Sequence, residues 1–231
     1  MKKISRRRFI KQSLQGAGTI CGALALGLPL NPIRQARAAE PEFPESHCGP
    51  SDENRPKILV AYASMYGTTG GVSQKIGETL CGLGYQADVK LVDRVDSISG
   101  YRAVIIGSAI RSEKWLPNAV DFVKTHRRNL KQLPTAYFLT CLTLYNNPPE
   151  KVRQMVRTFF NPVLETVPEV NPLDYGMFAG VLDYSRIPFS MRMVMKYKMW
   201  SKGVPEGDYR SWPAIESWAK QLASRFKSET V

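Results

Sequence analysis

The chain has 231 residues, a formal net charge of +12, 43% hydrophobic residues and four cysteines. That charge does not describe a nucleic-acid-binding surface: residues 1–39 hold eight Lys and Arg and no acid, which leaves about +4 for everything after them. No C-x-x-C pair occurs, so zinc and iron–sulfur sites have no spacing to rest on.

The chain opens with Ser5-Arg6-Arg7-Arg8-Phe9-Ile10-Lys11. A glycine-diluted apolar run follows, from about Leu14 to Leu30, and then the small-x-small site Ala36-Arg37-Ala38. These parts, in this order, resemble a twin-arginine export signal, S-R-R-x-F-[LI]-K. The apolar run falls short of the ~20 residues of a spanning helix. Residues 1–39 are therefore expected to be a signal peptide, and the protein to work in the periplasm or on the outer face of the cytoplasmic membrane. Residues 40–56 are acidic and Pro-rich and predict a flexible linker. Cys48, Cys81 and Cys141 remain beyond the signal, and an odd count in an oxidising compartment leaves at least one thiol unpaired. Cys81 and Cys141 read as small buried apolar groups, and the pairing stays open.

From residue 57 onward, apolar runs of strand length alternate with helical patterns. Strands are predicted at 57–63, 86–91, 103–108, 135–140 and 176–184. Helices are predicted at 69–84, 117–129, 149–160, 188–202 and 213–226. Runs such as Ala103-Val-Ile-Ile-Gly suit parallel strands buried on both faces. The fold class is α/β, a five-stranded doubly wound parallel sheet with helices on both faces and one inserted basic helix. Ligands of such sheets sit beyond the carboxyl ends of the strands, so three loops are the candidates.

The first loop is Ser64-Met65-Tyr66-Gly67-Thr68-Thr69, between a strand and a helix N-terminus. Outward-pointing amides, the helix dipole and the hydroxyls of Ser64, Thr68 and Thr69 make an anion cradle. It lacks the lysine of a nucleoside triphosphatase loop and the G-x-G-x-x-G of a dinucleotide site. A cation-free cradle suits the single phosphate of flavin mononucleotide (FMN). The turn resembles the flavodoxin phosphate loop at Ser64, Gly67 and Thr69, with Tyr66 where most flavodoxins have threonine. The second loop runs through Ser108, Ala109, Ile110 and Arg111 to Trp115. Trp115 is the candidate to stack on the flavin ring, and Arg111 the cation to steady the reduced flavin anion. In the third loop, Leu142, Thr143, Leu144 and Tyr145 follow a strand end. Thr143 is the candidate to bond the ring edge and Tyr145 to cover its face. His47 lies in the linker and His126 beside two arginines, and neither is expected to be catalytic. No catalytic residue and no metal ligand stands out.

Residues 186–202 carry five basic residues and no acid. On a helical wheel Phe189, Met193, Val194, Tyr197 and Trp200 share one arc, expected to face the sheet. Met191, Met195 and Met199 fall opposite, among Arg192, Lys196, Lys198 and Lys202. That face is expected to dock on an anionic membrane surface or a redox partner.

From Lys57 onward the chain resembles the flavodoxin-like family of menaquinone-dependent protoporphyrinogen IX dehydrogenase. The likeness is carried by residues 64–69, 104–111, Phe122-Val-Lys124, 179–184 and the basic methionine helix. The resemblance implies bound FMN, a quinone acceptor at the inner membrane and oxidation of a porphyrinogen. The export signal departs from it, since haem synthesis belongs to the cytoplasmic side. The expected function is an exported FMN-dependent oxidoreductase passing electrons between a reduced substrate and a quinone or membrane redox partner, with no nucleic acid involved. The alternatives are a non-enzymatic flavodoxin-type electron carrier and a flavin-free interaction module.

Overall fold

Alternation along one strand sorts side chains to two faces. Leu59 and Ala61 face one side of the sheet, Ile58, Val60 and Tyr62 the other, and all five are buried in two separate apolar clusters. The computed structural model describes residues 41–49 and 55–228, all within one compact unit. The targeting segment predicted at 1–39 lies outside the described residues.

The central sheet contains β1 (Ser46–Cys48), β2 (Lys57–Ala63), β3 (Gln86–Leu91), β4 (Ala103–Arg111), β5 (Lys114–Trp115), β6 (Thr135–Thr140) and β7 (Asp174–Phe178). Its order is β1-β3-β2-β4-β6-β7, with β5 paired to the end of β4. The five strands from β3 to β7 in that order are parallel, as expected. The two additions are both antiparallel: β1 on the edge strand β3, and β5 folded back on β4. The helices α1 (Thr68–Gly82) and α6 (Trp212–Ser228) cover one face. The other is covered by α2 (Pro117–Leu130), α3 (Glu150–Arg157) and α4 (Asn161–Thr166). The helix expected at 149–160 is α3, shorter than expected and ending in a 3-10 turn at 158–160; a further helix, α4, follows with Pro162 in its first turn.

Two differences shape the site. The strand expected at 176–184 breaks at Ala179-Gly180 into β7 and a short β8 (Val181–Leu182), which pairs with β9 (Gly207–Asp208). This ribbon holds both ends of the insertion that carries α5 (Phe189–Trp200). The other difference is in the linker. Residues 41–48 pack on the domain as a strap: Tyr62 Oη donates to the Pro44 carbonyl, Leu91 N–H and Arg94 bond Glu45, and Cys48 forms a disulfide with Cys81 of α1. Acidic, Pro-rich composition reads as a linker, but here it supplies an edge strand and a cross-link. Cys141 is the unpaired, buried thiol.

Candidate flavin site

The carboxyl ends of β2, β4 and β6 bring the three loops to one edge. There a cavity of about 200 Å³ is lined by Ser64, Met65, Tyr66 and Thr68, by Ala109, Ile110 and Arg111, and by Thr140, Cys141 and Leu142. A larger cavity of about 550 Å³ opens at the opposite edge, around Arg55, Tyr85 and Arg102. It lies at the amino ends of the strands, away from the edge where doubly wound sheets bind ligands.

The first loop is built for an anion. Gly67 is the N-cap of α1 at φ 78°, a left-handed conformation. A Cβ there would lie 1.9 Å from the Glu42 carbonyl oxygen of the strap. The helix has no acid in its first turn and no side-chain cap, so its dipole end is not neutralised from within. The Ser64 hydroxyl accepts from the Thr69 amide at 3.4 Å, which curls the loop. Two guanidinium groups then take the loop carbonyls: Arg186 donates to Tyr66 O at 3.4 Å and Arg210 to Thr68 O at 3.5 Å. The hydroxyl residues Ser64 and Thr68 and the Arg186 guanidinium line the cavity beside this uncapped helix start, and that donor set fits a phosphate. The loop contains no cation of its own, yet the fold places two beside it. Neither Arg186 nor Arg210 was legible as a site residue, because both come from the far end of the chain with no motif spacing. Each is oriented by an aspartate: Asp183 for Arg186 and Asp208 for Arg210, which also stacks on Trp212. Hydrogen bonds from Ser185 and then Arg186 hold the Asp183 carboxyl below its usual range, against its partial burial.

Several expected contacts are reassigned. Thr69 is buried and its hydroxyl bonds that of Thr140 at 2.9 Å, tying the first loop to the end of β6 instead of reaching the cavity. The buried Ser108 hydroxyl donates to Ala109 O and accepts from Leu116 N–H, so it stabilises the second loop from behind. Trp115 is not a ring cover. It is 4% exposed and packs against Tyr137 and Phe160 with centroids 5.1 and 5.9 Å away. The cause is the hairpin: Ser112 and Glu113, both at positive φ, fold the chain back so that β5 pairs with β4 and its indole enters the core. Arg111 is exposed and lines the cavity. In the third loop Leu142 lines the cavity, Thr143 is exposed, Leu144 is core, and Tyr145 packs on Tyr209 at 4.5 Å.

The remaining wall comes from the insertion: Gly180 to Asp183, Arg186, Ile187, Met191 and Met195. The expected orientation of α5 is thus reversed. Met191 and Met195 line the cavity, Met191 still 45% exposed at its rim, and Met199 is buried, whereas Phe189, Met193, Val194, Tyr197 and Trp200 are 63–77% exposed. A helical wheel gives the angle between two apolar stripes but not which one meets the protein. Unbranched thioethers fit the irregular rim of a cleft better than fused aromatic rings.

Of Cys141, His126 and His47, Cys141 lines the cavity and the two histidines do not. Burial pushes the Cys141 thiol up to about 11, so it stays protonated at neutral pH despite lining the cavity. His126 packs on Phe122, and burial holds its imidazole below the ordinary value. His47 bonds Asp88 on the edge of the sheet, far from the cavity in the fold.

Residues 59–207 match the family described as Flavodoxin domain. The chain is 26% identical over 174 residues to protoporphyrinogen IX dehydrogenase [quinone] of Escherichia coli (strain K12), covering 72% of this chain and 94% of that one. It is 27% identical over 183 residues to the Leishmania major protein of that name, covering 73% and 75%. Oxidised Flavodoxin 2 from Bacillus cereus superposes with a TM-score of 0.45 at 20% identity, over 73% of this chain and 99% of that one. The family assignment and the donor-rich loop agree: the chain belongs to the flavodoxin-domain family, and FMN is its cofactor.

Proposed function

We propose that the protein is an exported FMN-dependent oxidoreductase that passes electrons between a reduced organic substrate and a quinone. The observation that carries this reading is the cavity wall. The phosphate loop is joined to a cleft lined by Met65, Ile110, Leu142, Leu182, Ile187, Met191 and Met195, a surface suited to a flat apolar molecule beside a flavin. FMN, when bound, supplies the electron chemistry. The chain's own residues do the rest. Loop amides and Thr68 hold the phosphate, the methionines of α5 exclude water, and Arg111 and Arg186 supply positive charge at the rim.

The quinone partner is suggested by the relatives named quinone-linked dehydrogenases. Export is suggested by the Ser5–Lys11 pattern and agrees with a Cys48–Cys81 disulfide, a bond that persists in oxidising compartments. The twin-arginine route, as the signal's resemblance implies, carries folded proteins, which suits a chain that must first fold around a cytoplasmic cofactor. Export separates the site from haem synthesis, so the substrate is proposed only as a reduced organic donor.

The test is anaerobic mixing of the photoreduced, purified protein with a water-soluble quinone, followed through the flavin absorbance. Rapid reoxidation with catalytic turnover is expected. Slow reoxidation, with fast exchange toward another redox protein, would make the chain a carrier. A colourless protein that takes up no added FMN would remove the reading altogether.

A further inference from the structure

The arc of α5 that turns away from the cavity is the largest run of exposed apolar side chains among the described residues. Phe189, Met193, Val194, Tyr197 and Trp200 are 63–77% exposed. They belong to twelve residues fixed at both ends, since β8 pairs with β9 and Met199 is buried beneath. The exposure is therefore a property of a seated helix.

Cations border the arc on both sides. On a 100° wheel Lys196 lies just before Phe189 and Lys198 just after Val194, with Lys202 one turn on. No acid occurs from Arg186 to Lys202. Arg192 points the other way, donating to the Ile187 carbonyl. A convex stripe of Phe, Tyr, Trp and Met between lysines is the composition of a helix lying in a lipid headgroup layer. Tyr and Trp suit that depth because each has an apolar ring and a polar tip. No helix among the described residues is long and apolar enough to cross a membrane, so α5 would lie on the surface. Two copies pairing through this arc would bring their flanking lysines together, which disfavours self-association.

We infer that α5 docks on an anionic bilayer through Phe189, Met193, Val194, Tyr197 and Trp200, with Lys196, Lys198 and Lys202 against the headgroups. The opposite stripe, Met191 and Met195, lines the flavin cavity. Under the quinone reading, on which the purpose of this docking rests, one helix thickness would separate the lipid from the cavity.

The experiment is flotation of FMN-loaded protein, purified without residues 1–39, on phosphatidylcholine vesicles with and without phosphatidylglycerol. Three variants accompany it: Phe189→Ser/Met193→Ser/Trp200→Ser, Lys196→Glu/Lys198→Glu, and Met155→Ser as an exposed apolar control on α3. Wild type and Met155→Ser are expected to float with phosphatidylglycerol vesicles and to stay behind with phosphatidylcholine alone. The triple serine variant is expected to lose about tenfold or more of its bound fraction, and the charge variant a comparable share. Unchanged flavin absorbance in every variant establishes that the cavity survives. The inference is overturned by equal flotation of the triple variant, by equal binding to neutral vesicles, or by no flotation of wild type. It is also overturned if the triple variant abolishes a dimer instead. Quinone turnover measured in parallel separates the two ideas: arc-dependent flotation without turnover leaves the docking standing and sinks the oxidoreductase reading.

Discussion

Gly67 sits where the helix start, the strap and the proposed phosphate loop meet. Its φ of 78° is open to glycine and costs most other residues roughly 1 kcal/mol or more. A methyl group would also collide with the Glu42 carbonyl. Gly67→Ala must therefore push the strap outward or flatten the loop, and flattening re-aims the amides proposed to hold the phosphate. Weakening of FMN binding by about tenfold or more is expected, with a loss of about 1–3 kcal/mol in stability. Flavin fluorescence titration and thermal melts read the two effects, and wild-type affinity would show that the loop tolerates a Cβ. A second residue-scale prediction concerns Asp88, buried on β3, which lies between β1 and β2. Its burial favours the neutral acid, yet bonds from Tyr101, Lys57 and His47 prevail and hold the carboxyl below the usual range. A folded value below the unfolded one means stability present above the ordinary carboxylate range and lost as pH falls through the lowered value. Asp88→Asn should cost about 1–3 kcal/mol at neutral pH. The gap to wild type should close in acid, as urea unfolding at neutral pH and at about pH 3 would read.

At the scale of elements, four of the five parallel strands were legible in the sequence at or near their ends. Buried parallel strands leave uninterrupted apolar runs such as 58–63 and 103–106. The fifth was misread because 176–182 is one apolar run, and within it only Gly180 marks the break that releases the β8–β9 ribbon. Local pattern pointed to the edge where Ser64, Thr68 and Arg111 line the cavity, but not to the core position of Trp115. Its fate depends on a two-residue hairpin, Ser112-Glu113, that lacks the usual glycine or asparagine signal. The strap was hidden for a different reason: it has little apolar sequence, and its hold comes from backbone pairing, ion pairs and a cross-link. That hold is measurable. Cys48 and Cys81 close a loop of 33 residues, which constrains the unfolded chain by about 2–4 kcal/mol. Cys48→Ser, or reduction of the wild type, should lower the melting temperature by several degrees. It should also speed FMN release, because the strap carries Glu42 and Pro44 against Gly67 and Gly70. An unchanged release rate would confine the strap to a stabilising role.

For the whole molecule, the export proposal ties the charge, the cross-link and the cofactor to one event, passage out of the cytoplasm. Eight of the basic residues behind the +12 sit in residues 1–39, so the high charge belongs to the segment expected to be removed. Under the export proposal the chain folds around FMN in a reducing compartment, where Cys48 and Cys81 remain thiols. The strap then closes by β1 pairing and the bonds to Pro44 and Glu45 without its cross-link, and the covalent bond forms only on the far side. Two populations of one protein follow: a cytoplasmic precursor with three thiols after the signal, and an exported form with Cys141 as its single free one. Arg6→Lys/Arg7→Lys should hold the protein in the cytoplasm with FMN bound. Alkylation of denatured samples should then count three free cysteines beyond residue 39 in that variant and one in the exported wild type. A disulfide-bonded protein that stays in the cytoplasm with both arginines intact would separate the cross-link from export. Exported protein lacking flavin would show that folding around the cofactor does not precede transport.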